Sequence, residues 1–194
     1  MARHAREQEP YKARVPWPVT KRLVLCRLPV IAAINGGATA RGGADLALTC
    51  NGRLAPTKAK MGETYVKLGL NPSNGGTYFL PRLVSSGLSA DLALTGDLVD
   101  AARALSIGLV NSIAKPDALI AEALALAAQI AERPRLAIEA TKQRLPQSWQ
   151  MDLAGSMNTS CWAVAAPAYI NDLREGLAAA LEKRQPVYNK GDKE

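Results

Sequence analysis

Apolar runs that stop at glycine or asparagine alternate with amphipathic segments over the first 113 residues of the chain. Residues 30–34 (VIAAI) follow a proline and stop at an asparagine–glycine pair, which predicts a buried parallel strand. The pattern further predicts a helix over 43–50, a strand over 53–55 and an extended segment over 60–66. This part of the chain is therefore predicted to be a βα core.

Helical periodicity dominates after the glycine pair at 75–76. Asp100 and Asp117 are predicted helix N-caps, and Pro134 is predicted to open a helix. Residues 1–22 show no clear periodicity, which favours a loop or an irregular helix. Helices are predicted over 77–84, 89–95, 101–106, 118–132, 134–145 and 172–184, with one short strand over 110–113.

The pattern divides the chain into a basic irregular segment (1–27), a βα core (28–113) and a helical C-terminal region (114–194). The core offers only three or four short strands. A parallel sheet needs covered neighbours on both of its faces and edges. The sequence therefore predicts a core that is incomplete on its N-terminal side.

Charge is concentrated at the start of the chain. The 194 residues carry a formal net charge of +7, and residues 1–28 hold seven Lys or Arg against two Glu. A nucleic-acid-binding arm would need interleaved aromatic residues, and prolines interrupt any amphipathic transit peptide. A solvated terminus is the favoured interpretation, with neither nucleic acid nor membrane as a partner.

Cysteine and histidine usage excludes several kinds of site. The three cysteines lack metal or redox spacing, which favours free thiols in a reducing cytoplasm. Because His4 is the sole histidine, a Ser-His-Asp triad or a histidine-ligated metal is not expected. No apolar run approaches the roughly 18 residues of a membrane span.

Two stretches, 35–50 and 67–77, run through a glycine pair into a predicted helix. Glycines at a helix start let the backbone approach a ligand and direct N–H groups at negative charge. This arrangement favours acyl or enolate chemistry. Further short motifs extend the pattern: PVIAAING at 29–36, GGADLAL at 42–48, LGLNP at 68–72, GGT at 75–77, LPR at 80–82, LTG at 94–96, GLV at 108–110, and LEKRQPVY at 181–188.

In their order and spacing these motifs resemble the crotonase (enoyl-CoA hydratase/isomerase) superfamily over residues 28–188. The resemblance implies an α/β fold: a ββα spiral core, incomplete here at its N-terminal side, with a helical C-terminal trimerisation region. It implies a homotrimer or hexamer acting on acyl-CoA thioesters in fatty-acid or related catabolism. Coenzyme A would then be part of the substrate, and no separate cofactor is expected. The short chain resembles an N-terminally truncated member.

The resemblance places Gly42 at the second oxyanion glycine and Asp45 at the first catalytic glutamate. Asp45 follows Gly42 by three residues, on the same helix face. The alternative interpretations are a glycine for close packing and an acidic residue favoured by the helix dipole. Arg41 stands where the family usually has another glycine.

Tyr65 falls at the family's second catalytic glutamate. A phenol is a poor general base at neutral pH, so a hydrogen-bonding role or simple packing is expected. Glu63, two residues earlier on a possible strand, would substitute only with a shifted backbone. A site with two carboxylates is therefore not expected.

The remaining site residues are also assigned by the resemblance. Alternatives are a turn role for Asn74 and helix-dipole roles for Lys183 and Arg184. Substrate binding is predicted for Gly43, Ala38, Pro72, Asn74 and Gly75, coenzyme A binding for Lys183 and Arg184, and metal binding for none.

Three functions stay open at this point. The first is an enoyl-CoA hydratase/isomerase working through an oxyanion-stabilised enolate. The second is a double-bond isomerase that uses Asp45 alone, because one carboxylate is enough to shift a double bond. The third is a catalytically inactive crotonase fragment or interaction module.

Overall fold

The computed structural model describes residues 17–36, 38–39, 42–164 and 170–189. Its helices are α1 Trp17–Leu25, α2 Gly43–Thr49, α3 Gly76–Leu83, α4 Ser86–Thr95, α5 Ala101–Ser106, α6 Leu119–Ala131, α7 Arg135–Gln147, α8 Leu153–Val164 and α9 Ile170–Glu182. Its strands are β1 Ile31–Ala33, β2 Ala38–Thr39, β3 Gly52–Pro56, β4 Lys60–Gly62, β5 Val99–Asp100 and β6 Ser112–Ala114. Two 3₁₀ helices span Thr64–Leu68 and Ser148–Gln150.

Two small sheets form the β-structure. In the first, β1, β3 and β6 are parallel, with Ala33 opposite Leu54 and Leu54 opposite Ser112. In the second, β4 pairs in parallel with β2 and antiparallel with β5. The parallel connections between these short strands run through helices, as the apolar runs of the sequence predict.

The main core lies between these sheets and helices α2 to α5. Many of its members are small, so backbones approach closely and α2 packs directly on α3. That contact matters for function because both helices begin at a glycine turn that contributes to the candidate site. The buried apolar residues of this core include Ile34, Ala47, Leu48, Ala55, Met61, Leu80, Leu92, Ala104, Leu109 and Val110.

The extended segment predicted over 60–66 is wrong beyond its first three residues. Strand β4 ends at Gly62 because its neighbour β2 is only two residues long and offers no further ladder partner. The chain then turns at Glu63 into a 3₁₀ helix that contains Tyr65. Glu63 and Tyr65 therefore do not alternate along one strand.

Two helices differ from the prediction: α1 was left open, and α8 was not predicted. The stretch that contains helix α1 was left open as a loop or an irregular helix for lack of periodicity, and the structure makes it a regular helix whose first turn includes Pro18, a position that tolerates proline. Helix α8 is rich in Ser, Thr and Asn, and Asp152 Oδ1 accepts a hydrogen bond from the N–H of Gly155 at its start (2.7 Å). The predicted cap Asp117 is wrong: α6 begins after Ala118 with no side-chain cap.

Helix α1 is held against the C-terminal region by buried charges on α7. Glu139 accepts hydrogen bonds from Arg27 (2.8 Å to Nε) and from Arg135 (2.9 Å). The Nζ of buried Lys142 donates to the carbonyl oxygens of Leu23 (3.2 Å) and Leu28 (2.6 Å). These contacts fix the end of α1 against α7, and Thr20 of α1 donates a hydrogen bond to the carbonyl oxygen of Asn74 (2.9 Å) in the loop that precedes α3, where the candidate site lies.

Within the described ranges, no helix is both long and apolar enough to cross a membrane. The same ranges contain no group of three or more metal-ligating side chains.

Candidate active site

Asp45 occupies the centre of the candidate site. It lies in the first turn of α2 and its side chain is completely buried. Its Oδ2 accepts two hydrogen bonds, from the hydroxyl of Tyr65 (2.7 Å) and from the backbone N–H of Asn74 (2.9 Å). The carboxylate is therefore held in one orientation by groups from two other parts of the chain.

Gly42 precedes α2 in a left-handed conformation that requires glycine. Its φ is 90°, and a Cβ at this position would lie 2.9 Å from Nδ2 of Asn74. Gly42 lies one helical turn before Asp45 and accepts the first α2 hydrogen bond, from the N–H of Leu46 (2.9 Å). The structure thus brings together Gly42, Asp45, Tyr65 and Asn74, as the sequence predicts.

Tyr65 is buried and bridges two of these residues. Its hydroxyl donates to Asp45 and accepts from Nδ2 of Asn74 (3.2 Å). Burial, followed by the hydrogen bond to Asp45 and the charge of Asp45, raises the pKa of Tyr65 above its ordinary value. Tyr65 is therefore a neutral hydrogen-bond donor at neutral pH rather than a base.

Glu63 is the site residue that the sequence interpretation set aside. Its side chain is 2% exposed, and among the described residues neither of its oxygens has a hydrogen-bond partner other than the carboxyl group of Asp45. A Cβ on Gly76 would lie 2.2 Å from Oδ1 of Asp45 and 3.1 Å from Oε1 of Glu63, so both carboxyl groups border the same bare backbone. The structure therefore places beside Asp45 a second carboxyl group that the sequence analysis did not expect there.

The chemistry of Glu63 differs from that of a surface glutamate. Burial, then the charge of Asp45 and a hydrogen bond with it, raises the pKa of Glu63 to about 8. Glu63 is therefore a carboxylic acid at neutral pH. The sequence signal that points to it is weak: an acidic residue directly after a buried strand, followed thirteen residues later by a glycine, Gly76.

The predicted substrate-binding residues surround this group. Gly75 is the N-cap of α3, with a φ of 111°, and Pro72 is buried against Gly76. Gly43 is the exposed first residue of α2, and Ala38 lies in β2 opposite Met61. The side chain of Asn74 reaches Tyr65 across the site, so the residue does more than complete a turn.

A cavity of about 470 Å³ adjoins the site between α1 and α3. Thr20 at its edge donates a hydrogen bond to the carbonyl oxygen of Asn74 (2.9 Å). The cavity offers an apolar volume directly beside Asn74. Its lining includes Thr20, Val24, Leu25, Asn74, Tyr78 and Phe79.

Lys183 and Arg184, predicted to contact coenzyme A, end helix α9. The N–H of Lys183 donates to Ala180 O (3.3 Å) and that of Arg184 to Ala179 O (3.0 Å), the pattern of a Schellman cap. Arg184 also makes two hydrogen bonds to the carboxylate of Glu175 (2.6 and 3.1 Å). These contacts support the alternative, structural interpretation, and the coenzyme A role stays a prediction.

Replacing Lys183 with glycine is expected to stabilise the fold by about 1 kcal/mol. Lys183 has a φ of 54°, a left-handed conformation that costs a residue with a Cβ roughly 1–2 kcal/mol. The free energy of unfolding from urea titration measures the gain. Lys183→Ala removes the same charge but keeps the Cβ, so it should show no gain; equal stability of the two variants would contradict the strain argument.

The loop before Gly42 contains Arg41, the departure from the family's glycine. Arg41, with residues 37 and 40, lies outside the described part of the chain.

Comparison with known proteins identifies the family. A model of the family described as enoyl-CoA hydratase/isomerase matches residues 1–191. The chain belongs to this family. The buried Asp45, one turn after the left-handed Gly42, therefore lies in a crotonase-type fold.

Individual members of the enoyl-CoA hydratase/isomerase family are similar over most of this chain. Crotonyl-CoA hydratase of Syntrophomonas wolfei is 39% identical over 157 residues, 81% of this chain and 60% of the relative. Short-chain-enoyl-CoA hydratase of Clostridium acetobutylicum is 35% identical over 167 residues, 86% of this chain and 64% of the relative. A crystal structure of enoyl-CoA hydratase from Bacillus anthracis superposes with a TM-score of 0.82 at 34% identity, covering 87% of this chain and 65% of that one.

The matched relatives are longer than this chain. The chain spans about 60% of the length of the curated relatives that it matches. The crotonase-type architecture, a βα core followed by a helical C-terminal region, agrees with the expectation from the sequence.

Proposed function

We propose that this protein acts on acyl-CoA thioesters by the enolate chemistry of enoyl-CoA hydratases and isomerases. The observation that carries the proposal is the orientation of the Asp45 carboxylate. Hydrogen bonds from Tyr65 and Asn74 hold it in place one helical turn from the left-handed Gly42. The names of the relatives support the substrate class, since each is a hydratase of an enoyl-CoA.

In this proposal Asp45 moves the proton at the α-carbon of the substrate, and the N–H of Gly42 stabilises the thioester oxygen as it becomes negative. An N–H at a helix start is suited to that task because the helix dipole adds to its positive character. Loss of one such donor typically raises the barrier by about 2.7–4 kcal/mol. Tyr65 holds Asp45 in place as a neutral donor.

The other parts of the proposal concern binding and assembly. Lys183 and Arg184 would contact the phosphates of coenzyme A, which enters as part of the substrate, and the acyl group would lie near Gly43, Ala38, Pro72, Asn74 and Gly75. Guanidinium and ammonium groups are suited to phosphate. A homotrimer or hexamer is the proposed assembly.

Asp45→Asn is expected to lower turnover of crotonyl-CoA about a hundredfold or more, because an amide cannot exchange the substrate proton. The measurement is the loss of conjugated-enoyl absorbance in the purified full chain. Asp91→Asn, on the exposed face of α4, is the matched control and should keep wild-type turnover. Unchanged turnover in Asp45→Asn would rule out the role assigned to Asp45.

A second candidate function is that of a non-catalytic assembly partner. It is favoured by large apolar side chains on the surface: Leu94, Leu153 and Leu181 are 76%, 77% and 86% exposed. Leu145, Leu173 and Leu177 are also exposed and line one groove between α7 and α9, and contiguous exposed apolar surface of this kind is typical of surfaces that another chain covers. A monomeric chain of defined mass that turns over crotonyl-CoA would exclude this candidate.

A further inference from the structure

Asp45 and Glu63 form a pair of carboxyl groups that the family resemblance does not assign. Asp45 comes from α2 and Glu63 from the turn after β4, and both are buried almost completely. Among the described residues, Oδ1 of Asp45 and both oxygens of Glu63 lack any other hydrogen-bond partner. Buried polar atoms without partners are rare, and they point to an exchangeable proton or a function.

We propose that Asp45 and Glu63 share one proton, and that Glu63 thereby supplies the second acid–base group needed to hydrate an enoyl-CoA. The inference rests on the proposed function and deepens it. It favours hydration over the single-carboxylate isomerisation that the sequence leaves open.

The two carboxylate oxygens of Asp45 have different partners. Oδ2 is taken by Tyr65 and Asn74, which leaves Oδ1 for Glu63. Both carboxyl groups reach the backbone of Gly76, which has no side chain to separate them. A neutral Glu63 that donates its O–H to Oδ1 of Asp45 pairs an otherwise orphaned atom of each residue.

The surroundings of the pair favour a single negative charge. The other titratable group that faces Glu63 among the described residues is Tyr65, which is neutral. The elements packed around Glu63 present apolar side chains. These include Ala44 and Leu48 from α2, Met61 from β4, Leu80 from α3, Leu92 from α4 and Leu109.

No described cation therefore faces Glu63, and two adjacent carboxylates in this apolar space would repel each other without compensation. Burial raises the pKa of Glu63 to about 8, in agreement with one retained proton at neutral pH. The two residues titrate as a pair rather than one by one.

The proposed step balances. Hydration joins the oxygen of water to Cβ and adds a proton to Cα. The carboxylate of the pair accepts one proton from the water as the C–O bond forms, and the proton already held by the pair goes to Cα. The pair ends as it began, with one proton and one negative charge, after that proton redistributes along the hydrogen bond between the residues. Isomerisation needs only one acid–base group, because a single carboxylate can remove a proton from one carbon and return it to another.

The test compares hydration with isomerisation in the variant Glu63→Gln. The glutamine amide keeps the shape of the side chain and still offers an N–H donor to Asp45. Hydration of crotonyl-CoA is expected to fall about a hundredfold, the scale of one general acid–base group. Conversion of 3-butenoyl-CoA to crotonyl-CoA is expected to stay within about threefold of wild type. Asp45→Asn should lose both reactions. Hydration by Glu63→Gln at the wild-type rate would overturn the inference.

The pH dependence of the hydration rate is a second readout, and a purely structural role of Glu63 would not change it. Wild-type hydration is expected to fall above about pH 8 as the pair loses its proton, and Glu63→Gln should lack that decline. Persistence of the same decline in Glu63→Gln would assign it to another group and contradict the sharing of a proton.

A third readout does not depend on activity. The infrared spectrum of the wild-type chain at pH 7 should contain the C=O band of a protonated carboxyl group, absent from Glu63→Gln and retained in Glu122→Gln, which changes an exposed glutamate of α6. If this band is present but no acyl-CoA is turned over, the proposed function fails while the shared proton stands. If the band is absent at pH 7, the shared proton fails whatever the activity.

Discussion

Gly76→Ala is expected to cost about 3 kcal/mol of stability or more and to abolish turnover. The added Cβ would lie 2.2 Å from Oδ1 of Asp45, 2.7 Å from Cβ of Pro72 and 3.1 Å from Oε1 of Glu63. Overpacking in a core typically costs 1–3 kcal/mol, and here three buried neighbours must move together. Urea titration gives the free energy of unfolding, and crotonyl-CoA absorbance gives the turnover.

Gly87→Ala is the matched control for this substitution. Gly87 also lies near the start of a helix, α4, and a Cβ there meets nothing within 4 Å. Alanine in a helix is favoured over glycine, so we expect a gain of about 0.5 kcal/mol. If Gly76→Ala and Gly87→Ala changed the free energy of unfolding alike, the close approach of Asp45 and Glu63 to the Gly76 backbone would be refuted.

The parts of the site that the sequence predicted are those fixed by local geometry. Gly42 and Asp45 lie one turn apart on a helix whose start is signalled by a glycine pair, so their proximity follows from the helical period. Strand β1 was likewise predicted, because an apolar run bounded by proline and an asparagine–glycine pair has few other conformations.

Glu63 was missed because its position depends on strand pairing rather than on its neighbours in sequence. The alternation rule places Glu63 and Tyr65 on one face only while the strand continues, and β4 ends before either of them. The length of β4 is limited by β2 and β5, which lie about twenty and forty residues away in the chain. No local pattern carries that information.

The position of helix α1 likewise depends on contacts with residues that are distant in the sequence. Its position beside the site is fixed by Glu139 and Lys142, which are more than a hundred residues away from Arg27 and Leu28. A sequence motif can mark a basic segment, but it cannot show that a buried glutamate on a distant helix binds it. The residues that shape a cavity are often of this kind, because packing decides them.

Glu63→Gln is expected to raise the free energy of unfolding at pH 7 by about 2–3 kcal/mol. The folded protein holds the proton of Glu63 up to about pH 8, whereas the unfolded chain releases it near the ordinary value of 4.5. Because the folded pKa is raised, the stability contributed by this proton is complete below about pH 4.5 and is lost as the pH rises to about 8. Each pKa unit corresponds to about 1.36 kcal/mol. Glutamine carries no such proton and escapes the loss, although burial of its amide offsets part of the gain.

The stabilisation by Glu63→Gln should therefore grow with pH, from little at pH 5 to its full value above pH 8. Urea titrations of both proteins at several pH values measure this slope. Glu122→Gln is the matched control, and its effect should stay within about 0.5 kcal/mol, as is usual for an exposed site. A difference that does not change with pH would show that Glu63 is ionised in the folded state. A variant that gains stability while it loses hydration would instead mean that the protein retains a costly buried acid because the reaction uses it, since functional sites commonly reduce stability.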